Sequence, residues 1–237
     1  MSPDASVPYA VIAVTGLAME ARIASGPGVR ALAGAGNGRQ LALALERELA
    51  GGASAVISFG IPGGLAEDIA PGTWLVVRGI VASTARWRCD TAWTRILAER
   101  LRGALTADVA GVDSPVVDAA AKRALHRATG AAAVDTESHI AASFATAHGI
   151  PFAAFRVVAD GAQTGLPAAA CEALRPDGTI SVAAVLRSLA RAPGQLPALA
   201  RTAVDARTAF RALSRGRRLL GPRLGYPDLG ELLLDVP

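Results

Sequence analysis

Cysteine is nearly missing from this 237-residue chain: Cys89 and Cys171 stand alone and far apart. That excludes a disulfide framework and a cysteine-built metal site, and it fits a reducing, cytoplasmic setting. The three histidines are scattered, so zinc-ligand spacing is missing too and no metal is expected. No apolar run reaches the roughly 20 residues that span a bilayer. The first residues lack a basic segment followed by an apolar stretch and a cleavage site, so no signal peptide is expected. Lysine is scarce, aromatic residues are few, and no basic stretch with interleaved aromatics points to nucleic acid.

Alanine and glycine are abundant, and 51% of the residues are hydrophobic. That composition packs densely and argues against disorder. The length suits one large α/β domain with a real core. Residues 1–8 read as a flexible N-terminus, and 9–237 as a single domain ending in helices. Basic residues number 24 against 20 acidic, a net charge of +4, mostly arginine spread through helices. Arg215-Gly216-Arg217-Arg218 is either a phosphate or anionic-lipid contact or a solvated helix end.

Apolar runs and helical periodicities alternate. Strands are expected at Tyr9–Thr15, Ala53–Phe59, Trp74–Val81, Ala104–Val112, Ala131–Val134 and Phe152–Val158. Helices are expected at Gln40–Leu49, Thr91–Leu101, Asp118–Thr129 with Gly130 as its stop, Glu137–Ala147, from Thr179 or Ser181 towards Arg191, and from Leu196 onward. The last helix carries the stripe Leu199, Ala203, Ala206, Phe210 and Leu213. Arg86 and Arg88 flank Trp87 in an expected loop, and Leu232-Leu233-Leu234 is expected to pack back on the body. Alternating strands and helices predict a buried sheet covered on both faces.

Carboxylates stand where strands end. Glu137 follows a short strand and opens a helix; its two oxygens can accept from a vicinal diol such as ribose presents, or it can simply serve the helix start. Asp160 closes an apolar run, where a carboxyl is exposed enough to act and rigid enough to aim; the alternative is an Asp turn into Gly161. As a general acid near neutral pH it needs a raised pKa. Asp135 is the weaker neighbour. The turn Ser58-Phe59-Gly60-Ile61-Pro62-Gly63-Gly64 lets a ligand approach backbone amides, yet it matches neither the phosphate-loop nor the dinucleotide pattern. Glu20 can orient a water or a ribose hydroxyl, and Arg22, with Arg86 as a second contact, can clamp phosphate. Lys122 and His126, four apart, read as solvent-edge residues, and His139 as structural or pocket-facing.

Four segments together resemble the nucleoside phosphorylase/nucleosidase family: Thr15-Gly16-Leu17-Ala18-Met19-Glu20-Ala21-Arg22-Ile23-Ala24, Ser58–Leu65, Ala133-Val134-Asp135-Thr136-Glu137-Ser138 and Phe155-Arg156-Val157-Val158-Ala159-Asp160. The resemblance covers most of residues 10–215 and is closest to the hopanoid-associated phosphorylases, also described as adenosylhopane nucleosidases. It implies a three-layer α/β/α fold with a mixed central sheet, usually assembled as a homo-oligomer. It places Glu137 at the ribose hydroxyls, Asp160 at purine N7, and the Ser58–Gly64 turn around the ribosyl and nucleophile region. Glu20, one residue out of register, is the nearest match to the acid that positions water. Thr136 stands where many relatives carry Met, Ala159 replaces a small hydroxyl residue, and Pro62 stands where Ala or Ser is common. These departures suit a bulky lipid at the ribose 5′ end. The implied reaction is adenine release from adenosylhopane by water, or by inorganic phosphate as co-substrate, with no other cofactor. A substrate of that kind places the enzyme in the cytoplasm, with peripheral contact at the inner face of the membrane. The alternatives are a methylthioadenosine/adenosylhomocysteine nucleosidase and a non-catalytic nucleoside-binding protein.

Overall fold

Strand residues alternate sides, and in this chain both sides are apolar, so each strand must be covered twice. The computed structural model describes residues 10–34, 36–173, 175 and 177–227. The expected N-terminal segment 1–8 and the Leu232-Leu233-Leu234 contact lie outside the described residues. The elements run β1 (Val11–Thr15), α1 (Ala18–Ala24), β2 (Val29–Ala33), α2 (Gly38–Ala50), β3 (Ala55–Gly60), β4 (Gly63–Gly64), β5 (Trp74–Val81), β6 (Arg86–Arg88) and α3 (Thr91–Arg100). They continue with β7 (Leu105–Gly111), α4 (Ala119–Thr129), β8 (Ala133–Asp135), α5 (Ser138–Ala147), β9 (Phe152–Val157), α6 (Ala168–Glu172), α7 (Val182–Arg191) and α8 (Leu196–Leu220).

The strands make one mixed sheet in the order β2-β1-β3-β9-β5-β7-β8-β4, with β6 paired to β5. β9 runs parallel to β3 but antiparallel to β5. The far end curls back: Gly63 of β4 pairs with Val134 of β8 and also bridges Asp160, just past β9. Gly64 N–H donates to the Asp160 carbonyl at 2.9 Å, and a Cβ on Gly64 would stand 2.6 Å from that oxygen. Only glycine permits this approach.

Helices lie on both faces, as a three-layer α/β/α fold requires. Ile12, Val14, Val56 and Val77 pack beneath α2 and α5, against Leu41, Leu45, Ala141 and Ala145. Their neighbours Val11, Ala13, Ala55 and Val76 pack beneath α3 and α8, against Trp93, Leu97 and Leu213. Trp93 is fully buried, and its indole N–H donates to the Leu224 carbonyl at 3.0 Å, so its polar edge is satisfied.

Local chemistry sets the helix ends. Asp118 accepts from Ala121 N–H at 2.8 Å, and Gly130 ends α4 in the left-handed conformation. Ser181 caps α7. Three expectations need correction. Arg86 and Arg88 lie on strand β6, held against Val81 and Gly79, not in a loop. The edge strand β2 and short α6 were not expected, because neither has a strong periodicity. In α8 the core face is Ala209, Ala212, Leu213, Gly216 and Leu220, not the N-terminal part of the expected stripe; Ala203 is exposed and Leu199 half-buried.

Gly216 lies inside α8, where alanine is ordinarily worth about 1 kcal/mol more than glycine. Here a Cβ would meet the buried Phe155 ring at 2.5 Å. Gly216→Ala is therefore expected to destabilise the protein, by about 1 to 3 kcal/mol from overpacking, read as a lower midpoint in denaturant unfolding. A raised midpoint would show that α8 does not rest on β9 as described.

Candidate active site

Residues at and just past the carboxyl ends of β1, β3, β8 and β9 meet around one cavity of the curled sheet, and strand carboxyl ends are the usual place for a ligand in such folds. A cavity of about 280 Å³ opens there, lined by Glu20, Asp135, Glu137, Asp160 and Arg156 among its polar groups. Leu17, Ile61, Val112, Val116 and Leu166 supply apolar wall. Five residues anticipated from sequence line it: Glu20, Thr136, Glu137, Asp160 and Gly63.

Glu20 sits in the first turn of α1. Its carboxylate accepts from Gly16 N–H at 2.7 Å, Leu17 N–H at 2.8 Å and, across the site, Ile61 N–H at 2.7 Å. One side chain thereby ties the β1–α1 turn to the β3–β4 turn. It caps backbone amides. Gly60 makes room for it, since a Cβ there would stand 2.7 Å from the carboxylate. Burial pushes Glu20 up to about 7, against the pull of Arg156 and its backbone donors.

Arg156 is an arginine inside an otherwise apolar, fully buried strand. Its Nη2 meets Asp135 Oδ2 at 2.6 Å and Ser138 Oγ at 2.9 Å. Asp135 Oδ1 accepts from the N–H groups of Glu137 at 3.1 Å and Ser138 at 2.7 Å, and so opens α5. Ser138 donates to Asp135 Oδ2 at 2.6 Å and meets Ser58 Oγ at 2.8 Å. Ser58 thus supports this network and does not line the cavity. Arg156 Nε is buried and has no hydrogen-bond partner among the described residues, which leaves a donor for a bound molecule.

Glu137 occupies the N-cap position of α5 but makes no capping bond with its side chain. The carboxylate instead accepts from Thr136 Oγ1 at 2.5 Å. Burial first, then the Asp135 charge, raise its pKa above the ordinary carboxylate range, with Arg156 pulling the other way.

Asp160 pairs with Lys122, the chain's single lysine. Lys122 is fully buried, contrary to the solvent-edge expectation, and also donates to Gly161 O at 3.1 Å and Thr164 O at 2.9 Å. All three of its N–H bonds are used. Burial raises the Asp160 pKa, and Lys122 opposes that rise.

The remaining residues lie elsewhere. Arg22 and Arg86 are exposed and do not line the cavity. His126 Nδ1 is 2.8 Å from Ala131 O, and His139 faces Asp113. Burial pushes the Cys89 thiol up to about 12, which leaves no ready thiolate nucleophile there. Sequence reasoning missed Arg156, Lys122 and the structural weight of Asp135. Two signals were present: a lone charge inside a strand of apolar residues, and the only lysine in the chain.

Removing one partner of a buried ion pair leaves the other uncompensated. Asp135→Asn is expected to cost about 3 to 5 kcal/mol in urea unfolding. A loss under about 1 kcal/mol would mean that Arg156 is adequately held without it.

Comparison with curated protein sequences returned no match. Solved structures with the same fold include the 5′-methylthioadenosine/S-adenosylhomocysteine nucleosidase of S. pneumoniae, at 15% identity and a TM-score of 0.61, covering 90% of this chain and 97% of that one. The S-adenosylhomocysteine nucleosidase of Streptococcus pyogenes aligns at 14% identity and a TM-score of 0.60, over 92% and 100% of the two chains. The futalosine hydrolase of Helicobacter pylori aligns at 16% and 0.57, over 78% and 99%. The family model of the phosphorylase superfamily matches residues 27–192, well over half of the sequence. This chain belongs to the phosphorylase superfamily of enzymes.

Proposed function

We propose that the enzyme hydrolyses the N-glycosidic bond of a 5′-substituted adenosine and releases adenine. The observation that carries this reading is that Glu137, Asp160, Glu20 and Arg156 line one cavity.

Each group has a task that its surroundings suit. Glu137 accepts from the two ribose hydroxyls, leaving Thr136 to hold its first oxygen. Asp160 delivers a proton to the purine N7, with Lys122 behind it to balance the charge as that proton leaves. As the glycosidic bond breaks, the ribosyl ring becomes cationic, and the carboxylates around it stabilise that charge. Water then adds to the anomeric carbon. Glu20 takes the proton of that water, and the free Arg156 Nε–H takes its oxygen.

The balance of charge favours water over phosphate as nucleophile. Four carboxylates and one guanidinium line the cavity, so a phosphate dianion would enter a negative field. Arg22 and Arg86, which would have supported phosphate, are exposed outside it.

The methylthio and homocysteinyl nucleosides named for the S. pneumoniae and S. pyogenes enzymes are the first candidates for the 5′ group. A second reading, adenosylhopane or another adenosyl-lipid, rests on a specific feature. Ala206 lines both the cavity and a groove of about 720 Å³ between α1 and α8, which is also lined by Met19, Ile23, Ala203 and Phe210. That path suits a long hydrocarbon leaving the ribose.

The deciding experiment is adenine release from methylthioadenosine, adenosylhomocysteine and adenosylhopane, each with and without phosphate. Release independent of phosphate, with free ribosyl product, is expected. Formation of a ribosyl 1-phosphate would overturn hydrolysis, and no release from any of the three would leave a binding protein. Asp160→Asn is expected to lower kcat by about 10²- to 10⁴-fold with a much smaller effect on KM; unchanged turnover removes Asp160 from the mechanism. With a pKa of about 7, Glu20 is a base only above that pH. The wild-type rate should therefore fall as pH drops through 7, and Glu20→Gln should lose both the rate and that limb. A limb that survives the substitution belongs to another group.

A further inference from the structure

The C-terminal helices concentrate two features that the rest of the chain spreads thinly. Residues 175–225 hold ten arginines and two aspartates, a balance of +8 in a chain whose total is +4. The same stretch holds six of the large hydrophobic residues most open to solvent among those described: Ile180, Val182, Leu186, Leu196, Val204 and Leu219. A soluble protein scatters such residues singly, and their concentration marks a contact surface.

Helix α7 shows the arrangement at its clearest. Val182, Val185, Leu186 and Leu189 share one arc of the helix, and Arg187 and Arg191 lie on the other side. The apolar arc is not spent on the core. Val182 is 68% and Leu186 61% exposed, while the residue of α7 that is buried is Ser188. Arg187 and Arg191 are exposed and have no carboxylate within ion-pair distance among the described residues. A helix with an uncovered apolar face and a basic polar face is built to lie in a lipid interface, with the arginines reaching sideways to headgroups.

The beginning of α8 continues the pattern. Leu196 and Val204 are open to solvent, and Arg201, Arg207 and Arg211 are exposed on the same helix. The predicted stripe residues Ala203, Ala206 and Phe210 line the groove against Met19 and Ile23 of α1, where Arg207, Arg211 and Arg218 also stand. The Arg215–Arg218 cluster contributes less than its sequence suggests. Arg215 stacks on Trp74 at 4.6 Å, and Arg217 is tied to Ala24 O and Gly221 O. Ala206 lines both the groove and the candidate active-site cavity, and Ile180 and Thr202 of this region also line the cavity.

We propose that α7 and the first half of α8 form a membrane-docking surface for an anionic bilayer, set at the mouth of the active site. The partner is chosen by charge and by apolarity together. A second copy of the chain, meeting through the same face, would bring arginines against arginines. Nucleic acid would satisfy the arginines but leave Val182, Leu186 and Leu196 without a counterpart, since the exposed side chains here are aliphatic and cannot stack as aromatic ones do. Anionic headgroups over acyl chains match both features.

The test is flotation of the full chain with vesicles of phosphatidylcholine alone and of phosphatidylcholine with one-third phosphatidylglycerol, read without any turnover, so its result is independent of the substrate reading. Binding to the anionic vesicles is expected, weakened by salt and at least several-fold weaker on phosphatidylcholine alone. Replacing Arg187 and Arg191 by Gln should lower partitioning by about fivefold per charge. Val182→Ser with Leu186→Ser leaves the charge unchanged and should still lower it strongly, with the thermal midpoint and adenine release from a water-soluble nucleoside unaltered. Equal partitioning of the serine variant would reduce the effect to diffuse electrostatics and overturn the proposal. So would absence of vesicle binding, including the cases where the serine substitutions instead alter the sedimenting mass, or where the chain binds an oligonucleotide but no vesicle.

Discussion

The site depends on one buried ion pair, Arg156 with Asp135. A guanidinium in the middle of a sheet is tolerable only if its charge is matched and its donors are used. Asp135 matches the charge and shares the Nη2 donor with Ser138, while Nε stays unpartnered among the described residues; Asp135 also holds the N–H groups of Glu137 and Ser138, which starts α5. Arg156 in turn opposes the mutual repulsion of Glu20, Asp135 and Glu137. Without that positive charge, burial would push Glu20 and Glu137 further towards their neutral forms.

The same economy appears at the opposite wall, where Lys122 reaches from α4 to Asp160. Two cations therefore steady four acids, from behind in one case and from between in the other. The arrangement keeps the acids around one cavity, where burial pushes Glu20 up to about 7. Charge of that sign also suits a reaction whose transition state gathers positive charge on a sugar.

Outside the cavity the electrostatics reverse. The helices that follow β9 are strongly basic and leave aliphatic residues uncovered. Nothing in the sheet requires this; α8 already meets the core through Ala209, Ala212, Leu213 and Gly216. Residues beyond that footprint are not needed by the core, and Ile180, Thr202 and Ala206 among them line the cavity.

Much of this was legible in the chain itself. Period-two and period-3.6 patterns located β5, α2, α3, α4 and α5 to within a residue or two, because caps such as Asp118 and stops such as Gly130 are local chemistry. Glu137, Asp160 and Glu20, singled out by their places beside strand ends and the motifs around them, line one cavity. Tertiary structure decided the rest. Whether Lys122 was solvated or buried depended on Asp160, 38 residues away. Gly60 and Gly64 looked like room for a ligand, yet the atoms they admit are the Glu20 carboxylate and the Asp160 carbonyl. The stripe of α8 was real, but whether it faced core or groove depended on α1 and β9. Local sequence settles backbone propensity and capping; it carries no record of which charge comes to rest beside which, because burial and pairing are made by segments that meet only when the sheet closes.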